Sequence, residues 1–141
     1  MSPLTKLFLL VIGLMLFFTV RSLFAAGAPR EEPRAAAAKV RTGEGIIIDV
    51  REPNEWESGV AAPAHLLPLS DLKGDRTKWA HVLAESKAAP IYLYCRSGNR
   101  SGQAAAILAK EGFTVANIGG VSDWQAAELP TRLPDEPAGN D

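Results

Sequence analysis

The stretch YCRSGNRSG contains Cys95, the single cysteine of the chain. Two cations, Arg96 and Arg100, follow it, and Gly98 and Asn99 lie between them. Glycine adopts positive φ freely and asparagine tolerates it, so this loop can curl its backbone N–H groups toward one centre. Such N–H groups and nearby arginines stabilise a thiolate over a thiol. We therefore predict that Cys95 is a nucleophile; the alternative is a small buried cysteine with a structural role.

Buried strands and amphipathic helices would position this loop. IIIDV (46–50) and IYLY (91–94) are short, continuous apolar runs, typical of strands that are covered on both faces. HLLPL (65–69) and FTVANI (113–118) are weaker strand candidates. RTKWAHVLAESK and SGQAAAILAKEG carry apolar residues at helical spacing. Strands that alternate with helices predict an α/β fold, with a mainly parallel sheet and helices on both faces.

The cysteine loop would lie between a buried strand that ends at Tyr94 and a helix whose N-cap is Ser101. The N–H groups of a first helical turn lack intrahelical partners, and the helix dipole adds positive potential there. A strand, a tight loop and a helix start in this order predict an anion-binding site. The residues predicted to bind the substrate around Cys95 are Arg96, Ser97, Gly98, Asn99, Arg100 and Ser101.

Three segments, DVREPNEW, CRSGNRSG and NIGGVSDW, resemble the three marker segments of the rhodanese-like sulfurtransferases. The chain is similar in size and in its N-terminal segment to exported single-domain rhodaneses of the phage-shock-protein E type. The resemblance implies a parallel five-stranded α/β domain, with the active cysteine opening a loop that here runs from Cys95 to Arg100. It also implies transfer of a sulfane sulfur from a thiosulfate-like donor to cyanide or a thiol acceptor, through a Cys95 persulfide and with no metal or organic cofactor.

Loop length distinguishes this activity from phosphatase or arsenate reductase activity on the same fold. Phosphatases of the cysteine type use a loop one residue longer, and their arginine stands at the position that Ser101 occupies here. A tighter loop suits a sulfur atom attached to Cys95 better than a phosphate. A second alternative stays open, in which the domain carries a persulfide or binds partners without turnover.

Asp49 and Arg51 follow the IIIDV strand and resemble the D-x-R of the same family. The resemblance implies a position beside the active loop, at the carboxyl ends of the strands, where open α/β sheets place their sites. A supporting ion pair is favoured there over direct contact with the substrate. Gly119 and Gly120 predict a tight turn before the last helix.

The two ends of the chain differ in composition from its middle. Residues 1–27 hold Lys6, an uncharged apolar run and then small residues, which is typical of an export signal cleaved near Ala26 or Gly27. The alternative is membrane attachment through residues 7–24. Both predict an exported, periplasmic or other extracytoplasmic domain. The remaining boundaries that we expect are a linker at 28–38, a rhodanese-like domain at 39–133 and a disordered acidic tail at 134–141.

Charge and length limit the other possibilities. The chain of 141 residues has room for one domain of ordinary size. Its formal net charge is −1, which gives no bulk electrostatic attraction to nucleic acid. Any binding site for an anion must therefore be local, and the cysteine loop supplies one.

Overall fold

The computed structural model describes residues 1–25 and 28–139. The helices are α1 (Pro3–Ala25), α2 (Pro33–Arg41), α3 (Pro53–Trp56), α4 (Leu69–Lys73), α5 (Trp79–Glu85), α6 (Asn99–Lys110) and α7 (Val121–Ala126). The strands are β1 (Ile46–Asp49), β2 (Val60–Ala61), β3 (Ala64–Leu66), β4 (Ile91–Cys95), β5 (Val115–Gly120) and β6 (Thr131–Arg132). Strands and helices alternate through most of this order, as the sequence predicts.

Within the described residues, the main sheet has four parallel strands in the order β3-β1-β4-β5. The central strands are β1 and β4, with Ile47 opposite Tyr92 and Ile48 opposite Leu93. Apart from Asp49 at the end of β1, both strands lack charged residues, because neighbouring side chains point to opposite faces and both faces are covered. The predicted α/β class and mainly parallel sheet are confirmed.

Helices pack on both faces of the sheet, which was also predicted. One face is covered by α4, α5 and α6, which contribute Leu72, Trp79 and Leu108 to the core. The other face is covered by α2 and α7, which contribute Ala36 and Trp124. The strands β1 and β4 are thus packed between two layers of helices, and their carboxyl ends form the edge of the sheet at which the site lies.

The strand count differs from the five that the resemblance implied. Beyond β5, only an isolated bridge follows in the described chain, where Arg30 pairs in parallel with Asn117. The Asn117 N–H donates to the Pro29 carbonyl at 2.8 Å, and its carbonyl accepts the Glu31 N–H at 3.2 Å. Pro29 has no N–H to donate and Pro33 already begins α2, so this segment is too short to form a strand.

The predicted linker, residues 28–38, is partly helical. Its helix α2 begins at Pro33, since proline suits the first turn of a helix, and Ala36 within it is fully buried. The chain is therefore packed onto the domain several residues before the expected boundary at 39.

The N-terminal helix α1 contains the apolar run of the predicted export signal. Apolar side chains on it, such as Leu4 and Phe8, are exposed. The expected cleavage position, Ala26 or Gly27, lies outside the described residues. Across 1–25 and 28–139, no helix has both the length and the hydropathy needed to cross a membrane.

Residues 131–139 fold back onto the domain, whereas the sequence predicts a disordered acidic tail at 134–141, whose last two residues lie outside the described part of the chain. Strand β6 pairs antiparallel with β2, and Arg132 Nε donates to the Ala62 carbonyl at 2.9 Å. Its Nη1 donates to the Glu136 carbonyl at 2.9 Å, and the Gly139 N–H donates to the Ala62 carbonyl at 3.0 Å. The arginine binds the carbonyl groups of this chain reversal, which the composition of the segment does not reveal.

Candidate active site

Cys95 is the last residue of β4, at the centre of the sheet, and it is 1% exposed. Gly98 has a φ of 93°, in the left-handed region that favours glycine, and this turns the chain into α6. The helix begins at Asn99, two residues before Ser101, around which the start was predicted. The prediction that Ser101 is the N-cap was therefore wrong: Gly98 holds that position, and Ser101 lies within the first turn, fully buried.

The loop that follows Cys95 donates hydrogen bonds to its sulfur. The Gly98 N–H donates to Sγ at 3.1 Å, and the Ser101 hydroxyl lies 3.5 Å from Sγ. Burial raises the pKa of the Cys95 thiol, but the Ser101 hydroxyl and the N–H groups of Ser101, Ser97 and Gly98 lower it, and the net pKa lies below its ordinary value. The loop thus stabilises the thiolate that a nucleophile requires.

Three of the other residues predicted to bind the substrate are exposed. Arg96, Ser97 and Asn99 are exposed, although they follow a buried cysteine directly. The Asn99 Oδ1 accepts a hydrogen bond from Gln103 Nε2 at 2.8 Å, so this side chain is held along the helix surface. Arg96, the second residue of the loop, is exposed and can contact an anion that approaches Cys95.

Asn117 on β5 contacts the loop but was not predicted as a site residue. Its Nδ2 donates to the Gly98 carbonyl at 2.8 Å. Its Oδ1 accepts hydrogen bonds from the Ser101 hydroxyl at 2.8 Å and from the Gly119 N–H at 3.0 Å. A polar residue inside the apolar run FTVANI was the signal that could have identified it, because buried polar groups need partners.

Two glycines of β5 allow the loop to approach the strand closely. A Cβ at Gly120 would collide with the Arg96 carbonyl oxygen, and a Cβ at Gly98 would lie 3.3 Å from the Gly119 Cα. The pair was predicted to form a tight turn before the last helix. It ends β5 directly ahead of α7, where Asp123 Oδ2 accepts the Gly120 N–H at 2.7 Å.

Arg100 forms a bidentate ion pair with Glu55 of α3, with Nη1–Oε2 at 2.6 Å and Nη2–Oε1 at 2.7 Å. Glu55 also accepts the Glu52 N–H at 2.9 Å, which fixes its carboxylate at the start of the helix. The hydrogen bonds from Arg100 lower the pKa of Glu55 to about 2. Arg100 also interacts electrostatically with Cys95, and the two charges stabilise each other.

Glu55 was another functional residue that the sequence analysis did not single out. Both terminal nitrogens of Arg100 bind its carboxylate, whereas the analysis had assigned Arg100 to the substrate. The signal available was the spacing of Glu52 and Glu55, which is typical of a capping box, although it does not reveal Arg100 as the partner.

Asp49 and Arg51 form a buried ion pair at the end of β1, with Nη2 2.7 Å from Oδ2. Arg51 also donates to the Gly59 carbonyl at 2.8 Å and to the Glu55 carbonyl at 3.2 Å. Asp49 is the register partner of Tyr94, so the pair lies beside the strand that carries the nucleophile. Its geometry braces α3 and the chain after it against the sheet.

The site therefore combines a stabilised thiolate, N–H and hydroxyl donors aimed at its sulfur, and two arginines nearby. These groups can hold a second, anionic sulfur on Sγ, because hydrogen-bond donors already converge there. In the part of the chain that the structure describes, no group of three or more His, Cys, Asp or Glu residues could hold a metal ion.

Comparison with known proteins agrees with this geometry. Residues 32–127 match the family described as Rhodanese-like domain. The uncharacterized protein YqhL of Bacillus subtilis is 42% identical over 96 residues, which cover 67% of this chain and 68% of that protein. The thiosulfate sulfurtransferase PspE of Escherichia coli is 36% identical over 77 residues, covering 54% of this chain and 70% of that one. The crystal structure of a rhodanese-related protein from Thermoplasma volcanium is similar with a TM-score of 0.63 and 26% identity, covering 74% and 98%.

Proposed function

The chain belongs to the rhodanese-like domain family, and from that premise we propose that it is a sulfurtransferase acting through a Cys95 persulfide. The donor is a thiosulfate-like anion, and the acceptor is cyanide or a thiol. The observation that carries the proposal is the pair of donors at Sγ, the Gly98 N–H at 3.1 Å and the Ser101 hydroxyl at 3.5 Å. The similarity to a thiosulfate sulfurtransferase of Escherichia coli supports the choice of donor.

In the first step, the Cys95 thiolate attacks the outer sulfur of thiosulfate. A bond forms between Sγ and that sulfur, the S–S bond of thiosulfate breaks, and sulfite leaves with the electron pair. The product on the protein is a Cys95 persulfide. In the structure, the Gly98 N–H and the Ser101 hydroxyl contact Sγ. In the persulfide, these donors stabilise the negative charge on the sulfur atoms in the manner of an oxyanion hole.

In the second step, cyanide or a thiolate attacks the terminal sulfur of the persulfide. The new bond to the acceptor forms while the bond to Sγ breaks, and the Cys95 thiolate is released. Thiocyanate or an acceptor persulfide is the product. The lowered pKa of Cys95 favours this release, because a thiol of low pKa is a good leaving group.

The two arginines of the loop have different roles in this proposal. Arg100 is engaged by Glu55, so it orients the start of α6 and contributes a charge that is partly neutralised. Arg96 is exposed and is the cation that attracts the anionic donor. This division replaces the equal roles that the sequence analysis gave them.

Ser101 argues against phosphatase or arsenate reductase activity. The position at which the longer phosphatase loops carry arginine holds a buried serine, with its hydroxyl 3.5 Å from Sγ. No guanidinium can therefore surround a phosphate from that position. The nearest arginine in the chain, Arg100, has both terminal nitrogens on Glu55.

We also propose that the protein works outside the cytoplasm. The support is the uncharged apolar run after Lys6, followed by small residues, as in an export signal. Cell fractionation of the tagged full-length chain tests the location, and N-terminal sequencing of the recovered protein tests cleavage near Ala26. Recovery in the cytoplasmic fraction would contradict it.

The activity test incubates the purified protein with thiosulfate, with and without cyanide. We expect the mass of the Cys95 peptide to increase by one sulfur atom with thiosulfate alone, and thiocyanate to accumulate when cyanide is added. Cys95→Ser should lose both signals. Arg41→Gln, which removes an exposed cation of α2, is the matched control that keeps both.

The remaining outcomes separate the alternatives. A persulfide that forms without turnover would identify a sulfur carrier and contradict the enzymatic proposal. Hydrolysis of an aryl phosphate without persulfide would identify a phosphatase. Arg96→Gln should raise the KM for thiosulfate about two- to fivefold, as expected for the loss of one exposed charge contact, whereas Arg41→Gln should leave it unchanged.

A further inference from the structure

Asn117 lies under the active-site loop, and the mechanism above gives it no role. Its side chain binds two residues of the loop region, Gly98 and Ser101, and these are the residues that donate to the Cys95 sulfur. We propose that Asn117 is a positioning residue for the sulfur site, holding both donors in reach of Sγ. The inference rests on the proposed function, since it concerns how that site is kept ready for sulfur transfer.

A side-chain amide suits this position because it has a donor and an acceptor at a fixed separation. The Nδ2 donates to the Gly98 carbonyl at 2.8 Å, and this carbonyl also accepts the Gly102 N–H of the first helical turn at 3.1 Å. The Gly98 carbonyl belongs to the peptide that joins Gly98 to Asn99, and it is held by both bonds. The Gly98 N–H lies in the preceding peptide, on the other side of the Gly98 Cα, and donates to Sγ. A carboxylate at position 117 could not make the first contact, because it has no hydrogen to donate.

The acceptor end of the amide sets the orientation of the Ser101 hydroxyl. That hydroxyl has one hydrogen and three oxygen or sulfur atoms in reach: Asn117 Oδ1 at 2.8 Å, Cys95 Sγ at 3.5 Å and the Gly119 carbonyl at 3.5 Å. When the hydrogen points to Asn117, an oxygen lone pair faces Sγ and can accept a thiol hydrogen. When Sγ is a thiolate, the hydroxyl can rotate and donate to it instead.

Asn117 therefore lets Ser101 serve both protonation states of the sulfur. Its Oδ1 keeps the hydrogen bond from the Gly119 N–H at 3.0 Å when the hydroxyl turns away, so no buried acceptor loses its last partner. The backbone is fixed as well, because the bonds to Pro29 and Glu31 hold the outer edge of the strand at this residue.

Charged groups around Cys95 set the background for a test. Arg96 lies in the loop that follows Cys95. Arg100 lies in the first turn of α6 and is paired with Glu55 of α3. From the β5 side, Asp123 of α7 is bound to the Gly120 N–H. Substitution of Asn117 by alanine changes none of these charges.

The test measures the rate of Cys95 alkylation by iodoacetamide as a function of pH, which gives the pKa of the thiol in the full chain. Asn117→Ala should raise this pKa by about one unit, so that about tenfold less thiolate is present well below it. Asn117→Asp should raise it further, because it loses the donor and adds a negative charge beside the sulfur. In both variants the kcat for thiocyanate formation should fall, with the KM for thiosulfate little changed.

Ile118→Val is the matched control, since it removes one methyl group from the neighbouring buried residue of the same strand. It should weaken packing without moving the thiol pKa. Asn117→Asp preserves the size of the side chain and supplies the measurement if the alanine variant does not fold. A folded Asn117 variant with the wild-type alkylation profile would overturn the inference, and so would an equal pKa shift in Ile118→Val.

The alkylation readout separates this inference from the proposed function. It depends on the Cys95 thiolate and not on any sulfur donor or acceptor. If the wild type forms no thiocyanate, the proposed function fails while the pKa comparison still decides the role of Asn117. If turnover is present and the variants keep the wild-type pKa, the positioning role alone fails.

Discussion

Two acid–arginine pairs lie near the sulfur site, and they are built differently. Asp49 and Arg51 are two positions apart in sequence, and their side chains are 0% and 3% exposed. Glu55 and Arg100 are 45 positions apart, and their side chains are 25% and 29% exposed. The first pair lies within one segment of chain, whereas the second joins α3 to the first turn of α6.

This difference indicates what each pair can do. The buried Arg51 binds Asp49 and the carbonyl groups of Gly59 and Glu55. The position of the chain between residues 49 and 59 therefore depends on a guanidinium that is shielded from water. Removing one partner of such a pair leaves an uncompensated buried charge. The second pair can lose a partner to water at modest cost, and its main effect is to orient Arg100. The pair of Asp49 and Arg51 therefore supports the fold, whereas the pair of Glu55 and Arg100 orients an arginine at the active site.

Asp49→Asn should have the largest effect. It leaves the Arg51 guanidinium buried without a counter-charge, and we expect the free energy of unfolding to fall by about 3–5 kcal/mol. Urea denaturation at neutral pH measures this loss. Asp135→Asn, at an exposed position, is the control and should change little. A loss below about 1 kcal/mol would remove the distinction between the two pairs.

A double variant sharpens the same test. Asp49→Leu together with Arg51→Met removes both charges and fills the space with apolar atoms, so it should cost less stability than Asp49→Asn alone. The comparison uses the same urea denaturation. A double variant that is less stable than the single one would indicate that Arg51 matters through its carbonyl contacts more than through its charge.

Glu55→Gln should have an intermediate effect that depends on pH. The pKa of Glu55 is lowered to about 2 from an ordinary 4.5, so the stability gained from its ionisation is fully present above pH 4.5 and is lost as the pH falls through about 2. We expect the variant to be less stable at neutral pH by about 1–2 kcal/mol, a value discounted for the partial exposure of the pair. The difference from the wild type should vanish toward pH 2.

Denaturation curves collected at a series of acidic pH values provide the measurement. Glu57→Gln, at an exposed position just after α3, is the matched control and should follow the wild type. If Glu55→Gln and the wild type lost stability in parallel as the pH fell, the ion pair with Arg100 would not be what lowers the pKa of Glu55.

The sequence predicted the parts of the fold that depend on local patterns. The apolar runs of β1 and β4 and the helical spacing of α6 are visible without any partner, and they led to the α/β class. The expected start of α6 was wrong because Ser101 has the residue type of an N-cap. Gly98, with a φ of 93°, is the N-cap instead, three residues earlier, and Ser101 is buried.

The sequence predicted the parts of the candidate site that are short stretches, the loop from Cys95 and the pair of Asp49 and Arg51, but not the side-chain contacts between distant stretches. Cys95 and its loop could be recognised from one short stretch. Asn117 binds Ser101 from 16 positions away and Arg100 binds Glu55 from 45, and no spacing rule reveals such pairs. Residue type predicted a substrate contact for Arg100, and no residue near it in the chain indicates that Glu55 is its carboxylate partner.

Salt should have the smallest effect, and it tests whether exposure separates the two pairs. The Debye length falls from about 10 Å at 0.1 M to about 3 Å at 1 M ionic strength, and partly exposed charges are screened more than buried ones. The stability difference between the wild type and Glu55→Gln should therefore shrink by a few tenths of a kcal/mol in 1 M NaCl at neutral pH. The difference for Asp49→Asn should stay constant, because water and ions do not reach that pair. An equal response of both differences would mean that exposure does not decide which pair supports the fold and which orients the site.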